Sequence, residues 1–394
     1  MLIIENASLF SGPDLTYVER GDIGIKDGVI ASSASAEKRL DASGFLVIPA
    51  FINAHTHIAD SIGKDIAVGS RLDSRVHPVF GAKKKILQNS SPEHIKAFIR
   101  NSATSMLQKG IAAFADFREG GPEGVALLKD AISSLPIKCV IFGRAEHYSD
   151  PEKPDGLSEK AKQDVENVLR IADGLGISGA NENTDAALAD YRRLASGKKL
   201  AIHAAESKET VEFSKARTGK TEVERIVQHL QPDILVHMTQ ATDDEFSLVA
   251  KKAGIVVCAR ANGILGAGLP RVPAMLRQNC KVAIGTDNVM LNSPDMFREL
   301  DYIWKASNAA SQFIEPRDIL KMATVNAARM LGLNGGCIEP GRAADLLFIN
   351  KQHLDLAPIH DPYAAIIHRA SQDSISAVMI DGKFVTAGRR FLGF

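Results

Sequence analysis

The stretch VIPAFINAHTH (47–57) runs from an apolar segment into two histidines one residue apart. On an extended strand, residues i and i+2 face the same side, so His55 and His57 leave the end of such a strand together. The longer run FLVIPAFINAH (45–55) is the first of eight strand-like segments. The others are IAAFADF (111–117), KCVIFG (138–143), DGLGISG (173–179), LAIHA (200–204), DILVHM (233–238), GIVVCA (254–259) and KVAIGTD (281–287). Amphipathic stretches of helical length lie between them, with recognisable ends: Ser91 before Pro92 with Gly110 past the last turn, and Thr242 followed three positions later by Glu245. This alternation, with no GxGxxG after the first strand, predicts an α/β fold, a (β/α)8 TIM barrel rather than an open doubly wound sheet.

The two ends read differently. Residues 1–48 (LIIENASLF, DIGIKDGVIA, FLVI) and 337–394 (DLLFIN, SISAVMIDGKFVTAG) are short strands broken by turns, and Asp381-Gly382 is a two-residue hairpin signal. Neither end has enough strand to close a sandwich alone. The expectation is a small composite β-sandwich domain built from residues 1–48 and 337–394, interrupted by a barrel domain at 49–336. One helix, EPRDILKMATVNAARMLGL (315–333), is expected to link the two.

Composition narrows the function. Among 394 residues, 47 Lys and Arg balance 47 Asp and Glu, so no net field draws the chain to nucleic acid or to an anionic membrane. The start lacks a basic and then apolar leader, and no apolar run approaches the ~18 residues of a membrane span. A soluble cytoplasmic protein is expected, with a small molecule as its partner and with homo-oligomerisation left open. Cys139, Cys258, Cys280 and Cys337 are widely spaced and read as reduced thiols.

The chemistry sits at strand ends. His203 closes the fifth predicted strand, His237 the sixth and Asp287 the eighth, each after an apolar run and before a polar loop. A lone HxH occurs by chance, but strands one, five, six and eight of one barrel all deliver a donor to the same rim. Together they supply three neutral nitrogens and a carboxylate for one divalent metal, Zn2+ or Fe2+. Glu206 lies three residues after His203, a spacing that lets the loop beyond the strand return a carboxylate toward water on the metal.

This constellation resembles the amidohydrolase superfamily, and the likeness covers nearly the whole chain: VIPAFINAHTH resembles its first-strand signature, and ATVNAARMLGL through IEPGRAADLLFIN its return from the barrel. The resemblance implies that His55, His57, His203 and Asp287 are metal ligands and that His237 polarises or handles protons beside the metal. Relatives with two metals use a lysine on the fourth strand; residues 171–184 contain none, which favours one metal, Zn2+ first. The H-x-x-E at 203–206 is similar to the cytosine, guanine and adenosine-type deaminase and chlorohydrolase branch. It implies hydrolytic deamination of an aminated heterocycle, a purine, pyrimidine or related ring. Asp287 takes a proton from the attacking water, Glu206 protonates the neighbouring ring nitrogen and His237 bonds to the new oxygen. A cyclic-amide hydrolase resembling imidazolonepropionase is the alternative.

Departures from the family fall where specificity resides. HIADSIGKDIAVGSRLDSRVHP (57–78) replaces the apolar and aromatic stretch of nucleoside-type deaminases, and CARANGILGAGLPRVPAML (258–276) keeps only Asn262 and Gly268 of the usual seventh-strand pattern. Arg144, Glu146 and His147 after the third strand, and Asp116 and Arg118 at the end of the second, are placed at the pocket mouth. Arg144, His147 and Asn262 are the expected substrate contacts. The other histidines, including His77, read as structural, and Trp304 reads as helix core.

Overall fold

In the computed structural model, residues 2–32 and 38–387 are described. Gly388, the last residue of the expected C-terminal strand, lies outside them. The barrel strands are β1 (Phe51–His57), β2 (Ile111–Arg118), β3 (Lys138–Gly143), β4 (Gly174–Ile177), β5 (Lys199–Ala204), β6 (Ile234–His237), β7 (Gly254–Val257), β8 (Lys281–Ile284) and β9 (Asp287–Asn288). All pair in parallel in the order β8-β7-β6-β5-β4-β3-β2-β1-β9. The result is a curled, TIM-barrel-like sheet.

The eighth predicted strand, 281–287, is divided. Its first part pairs with β7, whereas its last residue, Asp287, and the following Asn288 pair with β1, Asp287 beside Thr56 and Asn288 beside His57. The change of neighbour happens at Gly285 and Thr286, whose N–H groups donate to Val257 O (3.0 Å) and His55 O (3.1 Å). The fully buried Asn53 side chain locks this corner. Its Nδ2 donates to Thr286 Oγ1 at 2.7 Å, and its Oδ1 accepts from Thr286 N at 3.0 Å.

The first predicted strand, 45–55, is divided as well. Phe45–Pro49 runs antiparallel to Leu346–Asn350 in a second sheet, whereas β1 belongs to the barrel. Pro49 has no N–H to continue a ladder. Ala50 N then donates to Asp345 O (2.9 Å) and Phe51 N to Gly110 O (2.9 Å), which hands the chain from one sheet to the other.

That second sheet joins strands from both terminal segments, in the order Lys383–Ala387, Ile375–Ile380, Leu346–Asn350, Phe45–Pro49, Leu2–Ser11, Thr16–Lys26 and Val29–Ala31, with Lys38–Asp41 also on Leu2–Ser11. Where two facing sheets were expected, the described residues form one hydrogen-bonded sheet of eight strands. The hairpin at Asp381-Gly382 is present, with positive φ at both residues and Ile380 paired to Lys383.

The expected helix 315–333 is two helices, Pro316–Met322 and Val325–Leu331. Thr324 interrupts it with Oγ1 donating to Leu320 O (2.7 Å), and the carbonyl of Ala323 is left to accept from Ile52 N at 2.8 Å. No helix among the described residues is long and apolar enough to cross a membrane.

Inside the barrel, Ile52, Ala54, Ala113, Ala115, Phe117, Ala201, Val236, Val256 and Ala283 pack in one buried cluster. Between Asn53 and Thr56 the register advances three residues along β1 against two along β2, from Phe114 to Asp116. The inserted residue reverses the alternation. Even-numbered Ile52 and Ala54 therefore face inward below it, and odd-numbered His55 and His57 above it.

A Cβ added at Gly285 would stand 2.7 Å from His55 Cβ and 2.8 Å from His55 N. Gly285→Ala is expected to cost about 1–3 kcal/mol of unfolding free energy, the usual penalty of overpacking, and to displace His55. Denaturant unfolding and metal stoichiometry check this; native values for both would contradict it.

Candidate metal centre and cleft

The convergence begins with backbone that few residues adopt. His237 (φ 76°) and Asp287 (φ 60°) lie in the left-handed region at the ends of β6 and β9, and Ala205 (φ 47°) does so just after β5. Such conformations persist where surrounding structure imposes them. Here they turn side chains at the rim toward the barrel axis.

The Nε2 atoms of His55 and His57 each lie 3.3 Å from His203 Nε2. Asp287 Oδ1 is 3.4 Å from His55 Nε2 and 3.6 Å from His57 Nε2. The outer nitrogens reveal the tautomers. His57 Nδ1 donates toward Phe117 O (3.2 Å) and Glu119 Oε1 (2.9 Å), and His203 Nδ1 donates to Ser178 O (2.8 Å). Their protons are thus on Nδ1, and the inner nitrogens meet as lone pairs. Converging lone pairs and a carboxylate repel one another unless a cation lies between them, so this donor set fits a divalent metal.

The electrostatics agree. Burial lowers the pKa of His55 to about 3 and holds that of His203 well below the usual value, so both imidazoles are neutral. Burial works against ionisation of Asp287, but its contacts with His55, His237 and His57 outweigh this and hold its carboxyl well below the usual range.

Beside this cluster, Glu206 Oε1 lies 3.7 Å from His237 Nε2, and the ligand atoms of Glu206, His237 and Asp287 are within 4.8 Å of one another. Burial raises the pKa of Glu206, with His237 opposing. Above lies an open cleft, with His57, His203, Glu206, His237 and Asp287 at its floor. Glu222 lines its wall, and burial, reinforced by Glu182, pushes its pKa up to about 8.

The expected substrate contacts are distributed unevenly. Arg144 lines the cleft, with Nη1 3.4 Å from Glu119 Oε1 and Nη2 3.4 Å from Tyr148 Oη. His147 is not on that wall; its Nε2 meets Asp164 Oδ2 at 3.1 Å on the helix Glu159–Ile171. Asn262 is fully buried behind His237, Nδ2 to Nδ1 3.2 Å, because the helix Ala259–Leu265 begins directly at the end of β7. Asp116 is likewise interior, accepting from Thr56 Oγ1 (2.8 Å) and Ile58 N (2.6 Å). Glu146 pairs with Lys84, and Arg118 Nε donates to Gly124 O at 2.9 Å.

Two residues went unread in the sequence, and a third was read as structural. Lys83 lies in a run of lysines that suggests a solvated face, yet it is 5% exposed and lines the cleft. Glu119 is the residue just past β2, where the only available signal was its place one step beyond Arg118. His77, read as structural, also lines the cleft and stacks on Phe80 with ring centroids 3.8 Å apart.

His55 and His203 are depressed in the fold, so below pH 6.5 the unfolded chain takes up protons that the native chain refuses. The contribution of these two histidines to the stability of the metal-stripped protein is therefore complete above about pH 6.5 and is lost as the pH drops, with a slope approaching ~1.4 kcal/mol per pH unit for each histidine. Urea unfolding of chelated protein from pH 8 to pH 5 measures this. His55→Ala and His203→Ala variants should show a shallower slope, and an unchanged slope would refute the assignment.

Comparison with known proteins agrees with this architecture. The chain is 38% identical over 395 residues, 98% of its own length and 99% of the relative's, to a Methanothermobacter thermautotrophicus protein that carries a provisional aminohydrolase name. It is 26% identical over 408 residues, 98% of this chain and 93% of the other, to the 5-methylthioadenosine/S-adenosylhomocysteine deaminase of Thermococcus sibiricus. A zinc-bound adenosine deaminase from Xanthomonas campestris superposes with a TM-score of 0.84 at 22% identity, covering 98% of this chain and 93% of that one, which shows a shared fold. The amidohydrolase family pattern matches residues 46–385, and the chain belongs to the amidohydrolase family.

Proposed function

We propose that this chain is a metal-dependent hydrolase that deaminates an aminated heterocycle, replacing an exocyclic amino group with oxygen from water and releasing ammonia. The observation that carries this reading is the pairing of Glu206 with His237 at 3.7 Å, on the cleft floor beside Asp287 and the three-imidazole cluster. His55, His57, His203 and Asp287 are the proposed ligands. The zinc in the Xanthomonas campestris enzyme supports Zn2+ over Fe2+, and the deaminase names of relatives support deamination over cyclic-amide hydrolysis. Residues 49–336 are the proposed catalytic unit, with 1–48 and 337–394 as the composite β domain.

When bound, the divalent cation supplies Lewis-acid activation of the attacking water. The chain supplies the proton inventory. Asp287, held as a carboxylate, accepts a proton from that water. Glu206 has a raised proton affinity and delivers a proton to the ring nitrogen next to the amino-bearing carbon. That carbon becomes tetrahedral, and His237 hydrogen-bonds to the new oxygen. Transfer of a proton to the amino group lets ammonia leave and the ring regain its unsaturation. Arg144, in the wall above, is the proposed substrate contact.

A panel of aminated purines, pyrimidines, pterins and triazines, with cyclic ureas and imidazolones as controls, tests the reaction. One ammonia per turnover is expected, with oxygen from labelled water at the former amino carbon of an intact ring. Glu206→Gln should keep metal binding while lowering turnover by roughly 10²–10⁴-fold. A metal-loaded protein that opens cyclic amides and ignores every aminated ring would replace this reading with the alternative.

A further inference from the structure

The three converging imidazoles are held differently on their outer nitrogens. His203 Nδ1 has a backbone carbonyl, Ser178 O, and His55 Nδ1 has no hydrogen-bond partner among the described residues. His57 alone faces a carboxylate, with Glu119 Oε1 at 2.9 Å from Nδ1 and Phe117 O at 3.2 Å. We propose that Glu119 is a positioning residue that orients His57 for metal binding, and that Lys83 supports the metal ligands through its ion pair with Glu119. The inference rests on the metal site proposed above.

Glu119 is 7% exposed and held from several directions. Lys83 Nζ, carried on the helix Ala82–Asn89, lies 2.6 Å from Oε1, and Arg144 Nη1, from the loop after β3, lies 3.4 Å from the same oxygen. Arg118 Nη1 is 3.6 Å from Oε2. With cations on both oxygens, the carboxylate has little freedom to turn away from His57. An anionic acceptor on the outer nitrogen fixes the tautomer and the ring plane and increases the basicity of the inner nitrogen more than a neutral carbonyl does. Lys83 pairs with no imidazole; its ion-pair partner is Glu119, while its charge is also felt at Asp60 and Glu206.

The test is zinc affinity of the metal-stripped full chain, measured by titration against a competing chelator, with thermal unfolding of each stripped protein as the check on folding. Glu119→Gln keeps the shape and an acceptor but removes the charge, and it should raise the zinc Kd roughly 10–100-fold. Lys83→Met should raise it less, and the Glu119→Gln, Lys83→Met double variant should match Glu119→Gln alone, because the direct contact of Lys83 with a group that holds a metal ligand is its ion pair with Glu119. If Glu119→Gln alone does not fold with Lys83 left unpaired, the double variant carries the same comparison against the native chain. A native zinc Kd in a folded Glu119 variant would overturn the proposal, leaving the Phe117 carbonyl as the sufficient partner. Additive losses in the double variant would overturn the role given to Lys83. Failure of the native chain to bind zinc would overturn the metal site itself.

Discussion

The paired hydrogen bonds between Asn53 and Thr286 hold the point on which the rest of the barrel rim depends. A parallel sheet becomes a ring only where its last strand finds its first, and here the last strand changes partners across two residues. Asn53 sits on β1 two residues before His55, and Thr286 immediately precedes Asp287. One amide therefore fixes the distance between the strand bearing two imidazoles and the strand bearing the carboxylate. Gly285 makes the approach possible because any side chain there would meet the His55 backbone.

From that closure follows the electrostatic character of the floor. Imidazoles that burial keeps neutral stand against a carboxylate that its neighbours keep ionised. A short distance away, Glu206 and Glu222 have their proton affinity raised by the same burial. Carboxyl groups of one chemical type are thus driven in opposite directions according to which groups face them. Such separation is what acid and base roles at one pH require.

Much of this was readable before any coordinates. Apolar runs ending in His57, His203, His237 and Asp287 mark strand ends because strand and loop differ sharply in polarity, and the rim of a parallel barrel gathers those ends. Local signals also read well: Ser91 Oγ accepts from His94 N, and Thr242 with Glu245 forms a reciprocal cap. What escaped is what belongs to two segments at once. The inserted residue in β1 is a relation between β1 and β2, and the division of 281–287 depends on which neighbour each half finds. Pro49 was the one local sign that 45–55 serves two sheets. Lys83 and Glu119 went unread because the groups that bury them come from distant parts of the chain: Glu119 meets Lys83, His57 and Arg144. Asn262 and His147 were placed by proximity to strand ends, and the direction in which the following helix or turn leaves decided otherwise.

The path of the terminal sheet bears on how the chain is made. Phe45–Pro49 lies between Leu2–Ser11, available from the start of synthesis, and Leu346–Asn350, which emerges only after every barrel strand. A nascent chain can therefore assemble the whole barrel while the strand leading into it keeps one edge open. Open edges are templates for pairing with other chains, and contacts so distant in sequence form slowly. Until Leu346–Asn350 clears the ribosome, a finished barrel can stand beside an unsealed sheet, so the order of synthesis as well as the final fold bears on exposure to aggregation.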